Sequence, residues 1–384
     1  MKLHRISLSL LLAVLLYLFD GITTNHCSNN QPIVVVSAMT ETERQEQYAA
    51  RNYKWPLPEV VPNTSGWNYL MRRRMKQAEA MPTEPRDDKY NAWVSVMAQA
   101  LTTPNFTQYG WAVTKAPQYL WKEIQTYLHN HIDQAYDEGE DVAIVGKDGR
   151  PLSSRFVPLD AALMDKALHS LQQQLEAWTG IPLLPQKGYG LRLYCNTSRL
   201  YMHIDKPSTH ILSCIFHIDH SSDSKPWPLV IEDFEGVTQK VYLQKGDILL
   251  YESAKCLHGR PLPFEGVWYT SLFLHYSPKH NWIPEERIWE PEFAVPPHWQ
   301  QQQLYTDDKP DDGDATFPRI QMVDTAVIEP ECPNRWCFQE GKDVGEWRGT
   351  AVDGTLVTSN GQQIDLSSIL DNSSNTIAAM DYGR

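Results

Sequence analysis

Leu191-Arg-Leu-Tyr-Cys195, Ile211-Leu-Ser-Cys-Ile-Phe-His217, Leu229-Val-Ile231, Val241-Tyr-Leu243, Ile248-Leu-Leu-Tyr251 and the longer Val267–Tyr276 follow one another as short apolar or alternating segments. Turn signals separate them: Asn196-Thr-Ser198, Ser221-Ser-Asp-Ser224, Glu235-Gly236, Lys245-Gly-Asp247 and Glu265-Gly266. Several short strands at this spacing predict a β-sandwich or barrel that begins near Gly188. Upstream of it the period changes. Leu120, Ile124, Leu128, Ile132 and Tyr136 recur every four residues, and Gly139 is placed to close that helix. A second helix is expected from Asp160, a good N-cap, with Met164, Leu168, Leu171, Leu175 and Trp178 on one face before Gly180. Helices first and then a β block is an α+β arrangement.

Working outward from the β block gives six segments. Residues 1–25 read as a signal peptide or signal anchor, 26–85 as an irregular N-terminal segment and 86–185 as a helical support region. The β core spans 186–282, an acidic, Pro-rich linker 283–330, and a C-terminal extension 331–384. The linker holds Asp307-Asp-Lys-Pro-Asp-Asp-Gly-Asp314, which lacks the spaced ligands of a calcium loop and reads as solvated chain. Arg72-Arg-Arg-Met-Lys76 is the one basic cluster; it reads as a solvated helix face, with a processing or docking site as the alternative.

Composition limits the function classes. Lys and Arg number 34 against 47 Asp and Glu, for a net charge of −13, which argues against a nucleic-acid partner. Hydrophobic residues at 42% and charged residues at 21% describe a globular chain. Pro at 26 outnumbers Gly at 20, and with 13 Trp and 18 Tyr this predicts an aromatic-packed, loop-rich protein.

The N-terminus points to a compartment. Lys2, His4 and Arg5 precede an uncharged, mostly apolar run, Ile6 to Phe19, as in a secretory signal. The run is short of the roughly 20 residues of a membrane span, so any membrane attachment would come through an uncleaved signal anchor. The expected location is the endoplasmic reticulum or Golgi lumen, or outside the cell. Asn63, Asn105, Asn196 and Asn372 head glycosylation tripeptides, although Asn196 lies close to a predicted strand. Cys332 and Cys337 are near enough in sequence to form a local disulfide, whereas Cys195, Cys214 and Cys256 read as small buried hydrophobes.

The chemistry concentrates between Tyr194 and Tyr276. His203-Ile-Asp205 puts two ligand-type side chains at i and i+2, on one face of a strand. His258 follows the strand Ile248–Tyr251. Two His and one carboxylate occupy one face of an octahedron and leave three positions open, which suits non-haem Fe(II). His217-Ile-Asp219 repeats the spacing and ranks second, because it runs into the polar turn at His220. His210 and His275 are read as satisfied core or surface histidines, outside the triad.

These residues resemble the prolyl 4-hydroxylase-like branch of the 2-oxoglutarate- and Fe(II)-dependent dioxygenases, over about residues 186–280. That family has an H-x-D pair on an early strand and a His on a late one, matched by His203, Asp205 and His258. It has a strand Tyr nine residues before the first metal His, matched by Tyr194, and a G-D-hydrophobic strand, matched by Gly246-Asp-Ile-Leu-Leu-Tyr251. The resemblance implies a double-stranded β-helix (jelly-roll) barrel supported by the N-terminal helices. It implies Fe(II), 2-oxoglutarate and O2, with ascorbate left open as an accessory, and release of succinate and CO2. It implies hydroxylation of a protein or peptide residue such as proline. One departure stands out: Trp268 occupies the place of the family's basic residue for the far carboxylate of 2-oxoglutarate. Thr270, two residues on, offers a hydrogen bond. Arg260, on the His258 side by alternation, and Arg192, on the Tyr194 face, are the replacement cations, with Arg260 preferred. Two rival readings fit the same residues. One is a different metal enzyme using zinc or manganese on this barrel; the other is a non-catalytic β-barrel binding protein.

Overall fold

The computed structural model describes residues 99–279 apart from 104, 140–142, 147–148 and 207–208. It also describes most of 64–71 with Arg74, the strands Gln321–Val323 and Ala326–Ile328, and 345–366 apart from 350. All of these lie in one unit, 38–384. The apolar run at 6–19, Asn63, Asn372, Cys332, Cys337 and the acidic stretch 307–314 lie outside the described residues. Among the described residues no helix is long and apolar enough to cross a membrane.

The strands in chain order are β1 (Trp111–Lys115), β2 (Tyr136–Asp137), β3 (Ile144–Val145), β4 (Arg155–Val157), β5 (Leu183–Gly188), β6 (Leu191–Cys195) and β7 (Arg199–His203). They continue as β8 (Leu212–His220), β9 (Leu229–Glu232), β10 (Thr238–Val241), β11 (Asp247–Tyr251), β12 (His258–Arg260) and β13 (Trp268–Pro278). The last five are β14 (Gln321–Val323), β15 (Ala326–Ile328), β16 (Gly345–Trp347), β17 (Thr355–Thr358) and β18 (Gln363–Asp365). Among the described residues two long helices accompany them, α1 (Gln118–His131) and α2 (Ala161–Thr179). One sheet runs β18-β17-β1-β11-β8-β13-β6-β4-β2 with β5 on β13; the other runs β14-β15-β7-β12-β9-β10-β16 with β3 on β7. Apart from the parallel β10–β16 pair, these pairings are antiparallel.

Alternation along the strands sorts side chains onto two faces. Leu191, Leu193, Cys214, Phe216, Ile248, Leu250, Leu272, Leu274 and Tyr276 point to the helix side of the larger sheet. There they meet Leu120, Ile124 and Leu128 of α1 and Leu163, Ala167, Leu171 and Leu175 of α2. The opposite face carries Tyr194 and Tyr269, which pack with Trp227, Phe264 and Ile144 in a second, aromatic cluster that draws on both sheets. That cluster is where the candidate site sits.

The helices show which local signals governed. Asp160 accepts from Leu163 N at 2.7 Å and caps α2, and Gly180 ends it at φ 72° with its N–H on Glu176 O. α1 ends at His131 and a single 3-10 turn, not at Gly139. Tyr136 instead enters β2, exposed, opposite Phe156. The four-residue apolar spacing through Ile132 and Tyr136 was fortuitous, because pairing with β4 outcompeted another helical turn.

Other expected boundaries shift for the same reason. β1 lies inside the segment read as helical, yet pairs with β11 over its whole length. β15 pairs with β7 and β17 with β1, so strands from the expected linker and extension are integral to the sheets. An open strand edge is a liability that these segments cover. β10 starts at Thr238, ahead of the apolar triplet expected there. Arg74 is no solvated helix residue: it is buried, with Nη2 2.6 Å from Glu232 Oε2 on β9. Cys214 and Cys256 are buried free thiols whose pKa burial pushes up, while Cys195 is free and partly exposed.

Candidate metal centre

His203 is the last residue of β7 and His258 the first of β12, and the two are direct partners across the antiparallel pair. Their ring centroids stand 4.3 Å apart. Asp205 lies just beyond the end of β7, not on the strand as expected, and its backbone N–H donates to Ser253 O at 2.9 Å. Asp205 Oδ1 is then 3.6 Å from His203 Nε2 and 4.0 Å from His258 Nε2. One potential ligand atom from each of the three residues lies within 4.8 Å of the others.

Backbone carbonyls set both imidazoles. His203 Nδ1 lies 2.8 Å from Tyr201 O, and His258 Nδ1 lies 2.9 Å from Cys256 O. A carbonyl only accepts, so each ring carries a proton on Nδ1 and turns Nε2, its remaining ligand atom, to the Asp205 side. Burial first, and His203 second, push the His258 pKa down to about 4 against the pull of Asp205. Burial works to raise the Asp205 pKa, but His258, His203, His275 and His210 together hold it below its ordinary value. Two neutral imidazoles and a carboxylate are the protonation states that a divalent metal needs. Asp205 Oδ2 is buried without a hydrogen-bond partner, which a cation would satisfy. The residues therefore fit a divalent metal with open coordination positions.

Two residues on from His258 along β12, Arg260 is buried. Its guanidinium packs against both Trp227 and Tyr269, 4.5 and 4.7 Å from their ring centroids, in the corner where those two rings meet edge-on. Nη1 donates to Trp227 O at 2.7 Å and Nη2 to the Tyr269 hydroxyl at 3.2 Å. Among the described residues no carboxylate pairs with Arg260. A buried guanidinium with neutral partners only is costly, by several kcal/mol for an uncompensated ion, and invites an anion. Tyr194 faces the same cluster, its ring edge-on to Trp227 at 5.2 Å. Tyr251 meets His258 edge-on at 4.7 Å and completes an aromatic lining from the His258 end towards Arg260.

The other two expected anchors are placed elsewhere. Arg192 makes a two-pronged ion pair with Glu138, at 2.6 Å through both Nε and Nη2, and is drawn towards the sheet edge. Thr270 pairs with Leu193, whose side chain belongs to the helix-side core, whereas its neighbour Tyr269 pairs with Tyr194. Alternation thus turns Thr270 away from the aromatic cluster.

The second H-x-D pair does not converge. His217 stacks on Tyr269 at 4.2 Å in the interior, with Nδ1 on Thr270 O and Nε2 on His220 Nδ1. Asp219 faces α1, where Gln125 and His129 reach it at 2.9 and 2.8 Å and Lys245 adds an ion pair. The register between β8 and β13 skips a residue there: Ser271 pairs with His217 and Thr270 with Asp219. That bulge puts the two side chains on opposite faces.

Sequence reasoning missed Gln99. It lies in a buried single turn, Gln99–Thr102, far upstream of the β core. Its Nε2 donates to Asp205 O at 2.6 Å and to Ala254 O at 2.9 Å, tying the loop that carries Asp205 to the loop that leads into His258. The segment carrying it is pinned to the same loop. Phe106 N and Thr107 N donate to Glu252, and Lys255 Nζ donates to Thr103 O at 2.7 Å. A lone Gln in a chain segment without periodicity carried no signal of this.

No protein family's model matches the chain, and no curated protein matches it. Solved structures do. A Pseudomonas putida prolyl-4-hydroxylase is 15% identical, with 44% of this chain and 94% of that chain covered at a TM-score of 0.34. A prolyl hydroxylase from Trichoplax adhaerens, solved with a hypoxia inducible factor peptide fragment, is 12% identical over 52% and 94% of the two chains, also at 0.34. HygX from Streptomyces hygroscopicus, with nickel, 2-oxoglutarate and hygromycin B bound, is 11% identical over 44% and 84%, at 0.33. These belong to the group that the motifs resemble. At such TM-scores the functional reading rests on this chain's own residues.

Proposed function

We propose that the chain is an Fe(II)- and 2-oxoglutarate-dependent oxygenase, built on a double-stranded β-helix, that hydroxylates a peptidyl residue such as proline in the secretory pathway. One observation carries this reading: three convergent metal-ligand side chains lie two residues along β12 from a buried Arg260 that, among the described residues, has no carboxylate partner. A metal site alone would suit many reactions; a metal site beside a buried anion receptor suits a chelating keto acid.

When bound, Fe(II) and 2-oxoglutarate supply the oxidative chemistry, in which O2 is consumed and succinate and CO2 are released. The chain supplies position. Tyr201 O and Cys256 O hold the two imidazoles with Nε2 inward. Asp205 provides the third ligand and the negative charge. Arg260 takes the far carboxylate of the co-substrate, its fork already held by Trp227 O and the Tyr269 hydroxyl. Tyr194, Tyr251, Trp227 and Tyr269 line the interval and keep water out. The N-terminal run and the tripeptides at Asn105 and Asn196, both exposed, support the secretory placement.

The test is an anaerobic titration of the purified chain with Fe(II) and 2-oxoglutarate, following the visible charge-transfer band. The band is expected in the wild type and absent in His258→Ala, with weaker 2-oxoglutarate binding in Arg260→Ala. No band in the wild type would overturn the reading.

A further inference from the structure

Beside the metal ligands lies a second cluster that the proposed chemistry does not use. His210 and His275 pack in close, tilted contact, with centroids 3.8 Å apart. Tyr189 meets His275 edge-on at 5.5 Å, and its hydroxyl lies 3.3 Å from His210 Nε2. Lys187 stands over the outer side of Tyr189, with Nζ 4.9 Å from the ring centroid. Hydroxyls bolt the cluster to the metal-ligand loops. Ser213 Oγ is 2.7 Å from both His275 Nδ1 and Ser253 Oγ, and Ser253 Oγ donates to His210 O. Ser253 is the residue whose carbonyl accepts from Asp205 N.

The sign of the charge here runs against the chain. The protein carries −13 overall, yet the exposed Lys187 and Lys206 both act on His210, and the opposing carboxylate is the ligand Asp205. A bound metal would draw on the Asp205 charge and leave the lysines uncompensated. The placement is also that of a shoulder. Lys187 sits on β5, off the main path of its sheet and paired with β13 at the position of His275, while the ligands His203 and Asp205 remain 18% and 15% exposed. Cations and partly exposed ring donors at the mouth of a site are a receptor for carboxylates.

We propose that Lys187, Lys206, Tyr189 and His210 form a platform that selects peptides with Asp or Glu next to the residue presented to the metal. This rests on the peptidyl hydroxylase reading above and names its substrate class. Lys187 and Lys206 take the acidic side chains, and Tyr189 and His210 supply hydrogen-bonding rings against the peptide backbone.

The experiment uses three fluorescein-labelled peptides of equal length, each with one central proline, flanked by Glu, Gln or Lys. Binding to the full chain is followed by anisotropy, in parallel with a Co(II) titration of the wild type and His258→Ala. The Glu-flanked peptide is expected to bind about tenfold or more tightly than the Gln-flanked one, and to weaken as salt rises. Lys187→Glu should abolish that preference and Lys187→Arg should retain it. Equal binding of the three peptides, or an unchanged preference in Lys187→Glu, overturns the platform. The cobalt arm separates the two readings. A His258-dependent band with equal peptide binding removes the platform and leaves the metal centre. A charge preference lost in Lys187→Glu, without any band, removes the oxygenase and leaves the platform.

Discussion

Two H-x-D pairs stand fourteen residues apart in this chain, identical in spacing and different in what the fold makes of them. His203 and Asp205 straddle the end of a strand, so the chain is free to turn the carboxylate inward, and β12 delivers His258 opposite. His217 and Asp219 lie inside a long strand, where a bulge sends one side chain to the interior stack and the other to α1. The i, i+2 rule holds only while the pleat is regular. A metal centre here needs a strand that ends, a loop that is stapled and a partner across the ladder, and the second pair has none of these.

The largest expected effect tests this contrast directly. His203→Ala, Asp205→Ala or His258→Ala should each lower Co(II) affinity by more than roughly 100-fold, beyond the cost of losing an outer-shell partner. His217→Ala and Asp219→Ala should leave it within about threefold, since neither touches the ligands. Isothermal titration on the five variants decides it, and a tight-binding Asp205→Ala would end the triad assignment.

Next comes Arg260, where binding and stability should move in opposite directions. Arg260→Met should weaken 2-oxoglutarate binding by about 2–5 kcal/mol, the usual cost of removing one partner of a buried charge pair. In the absence of 2-oxoglutarate the same variant should melt no lower than the wild type, because an uncompensated buried cation is replaced by an apolar chain of similar length. Melting curves with and without the co-substrate check both halves. A lower melting point without 2-oxoglutarate would mean that Arg260 is a structural residue of the aromatic cluster.

Gln99 gives a smaller effect on the same side of the comparison, because it holds loops and not the metal. Gln99→Leu keeps the volume and removes both donors, leaving Asp205 O and Ala254 O without them. Metal affinity should fall by about 10–100-fold, as for other outer-shell groups. The absorption bands of the cobalt form should shift, and Gln99→Asn should recover part of the loss. A weaker fold with unchanged bands would make Gln99 structural only.

How much of this was legible depends on how local each signal is. The α2 cap at Asp160 and Gly180, the strands at 191–195, 211–217 and 248–251, and the i, i+2 spacing of His203 and Asp205 are properties of neighbouring residues. Long-range pairing was not. β1 is five residues between Gly110 and Pro117, and its strand character comes from β11 and β17 on either side. Arg192 and Arg260 both looked available as cations, Arg260 the preferred one, because alternation placed each on a useful face. What separates them is Glu138, a residue with no motif that reaches Arg192 from the neighbouring edge. Thr270 looked available until the register of β13 on β6 showed it facing the helices. Gln99 was invisible because its partners are two carbonyls, which every residue has.

The smallest effect belongs to the pair whose side chains diverge. Burial alone would raise the Asp219 pKa, but bonds from Lys245, His129, Gln125 and the His220 backbone outweigh it and hold the carboxyl well below the ordinary range. Its folded pKa is therefore lower than its unfolded value of about 3.9, so the folded chain binds fewer protons at this group. The stability it contributes is fully present above about pH 4 and is lost as pH falls towards the folded pKa. Lys245 and His129 are 38% and 54% exposed, so solvent screens both contacts. Asp219→Asn should then cost only about 1 kcal/mol at neutral pH, less than a buried charged hydrogen bond and near the top of the range for exposed ion pairs. That difference from the wild type should shrink as the pH drops below about 4, with Co(II) binding at neutral pH unchanged. Denaturant curves at pH 7 and pH 3 measure it. A loss that persists at the acidic end would show that Asp219 acts through packing on α1 and not through its charge.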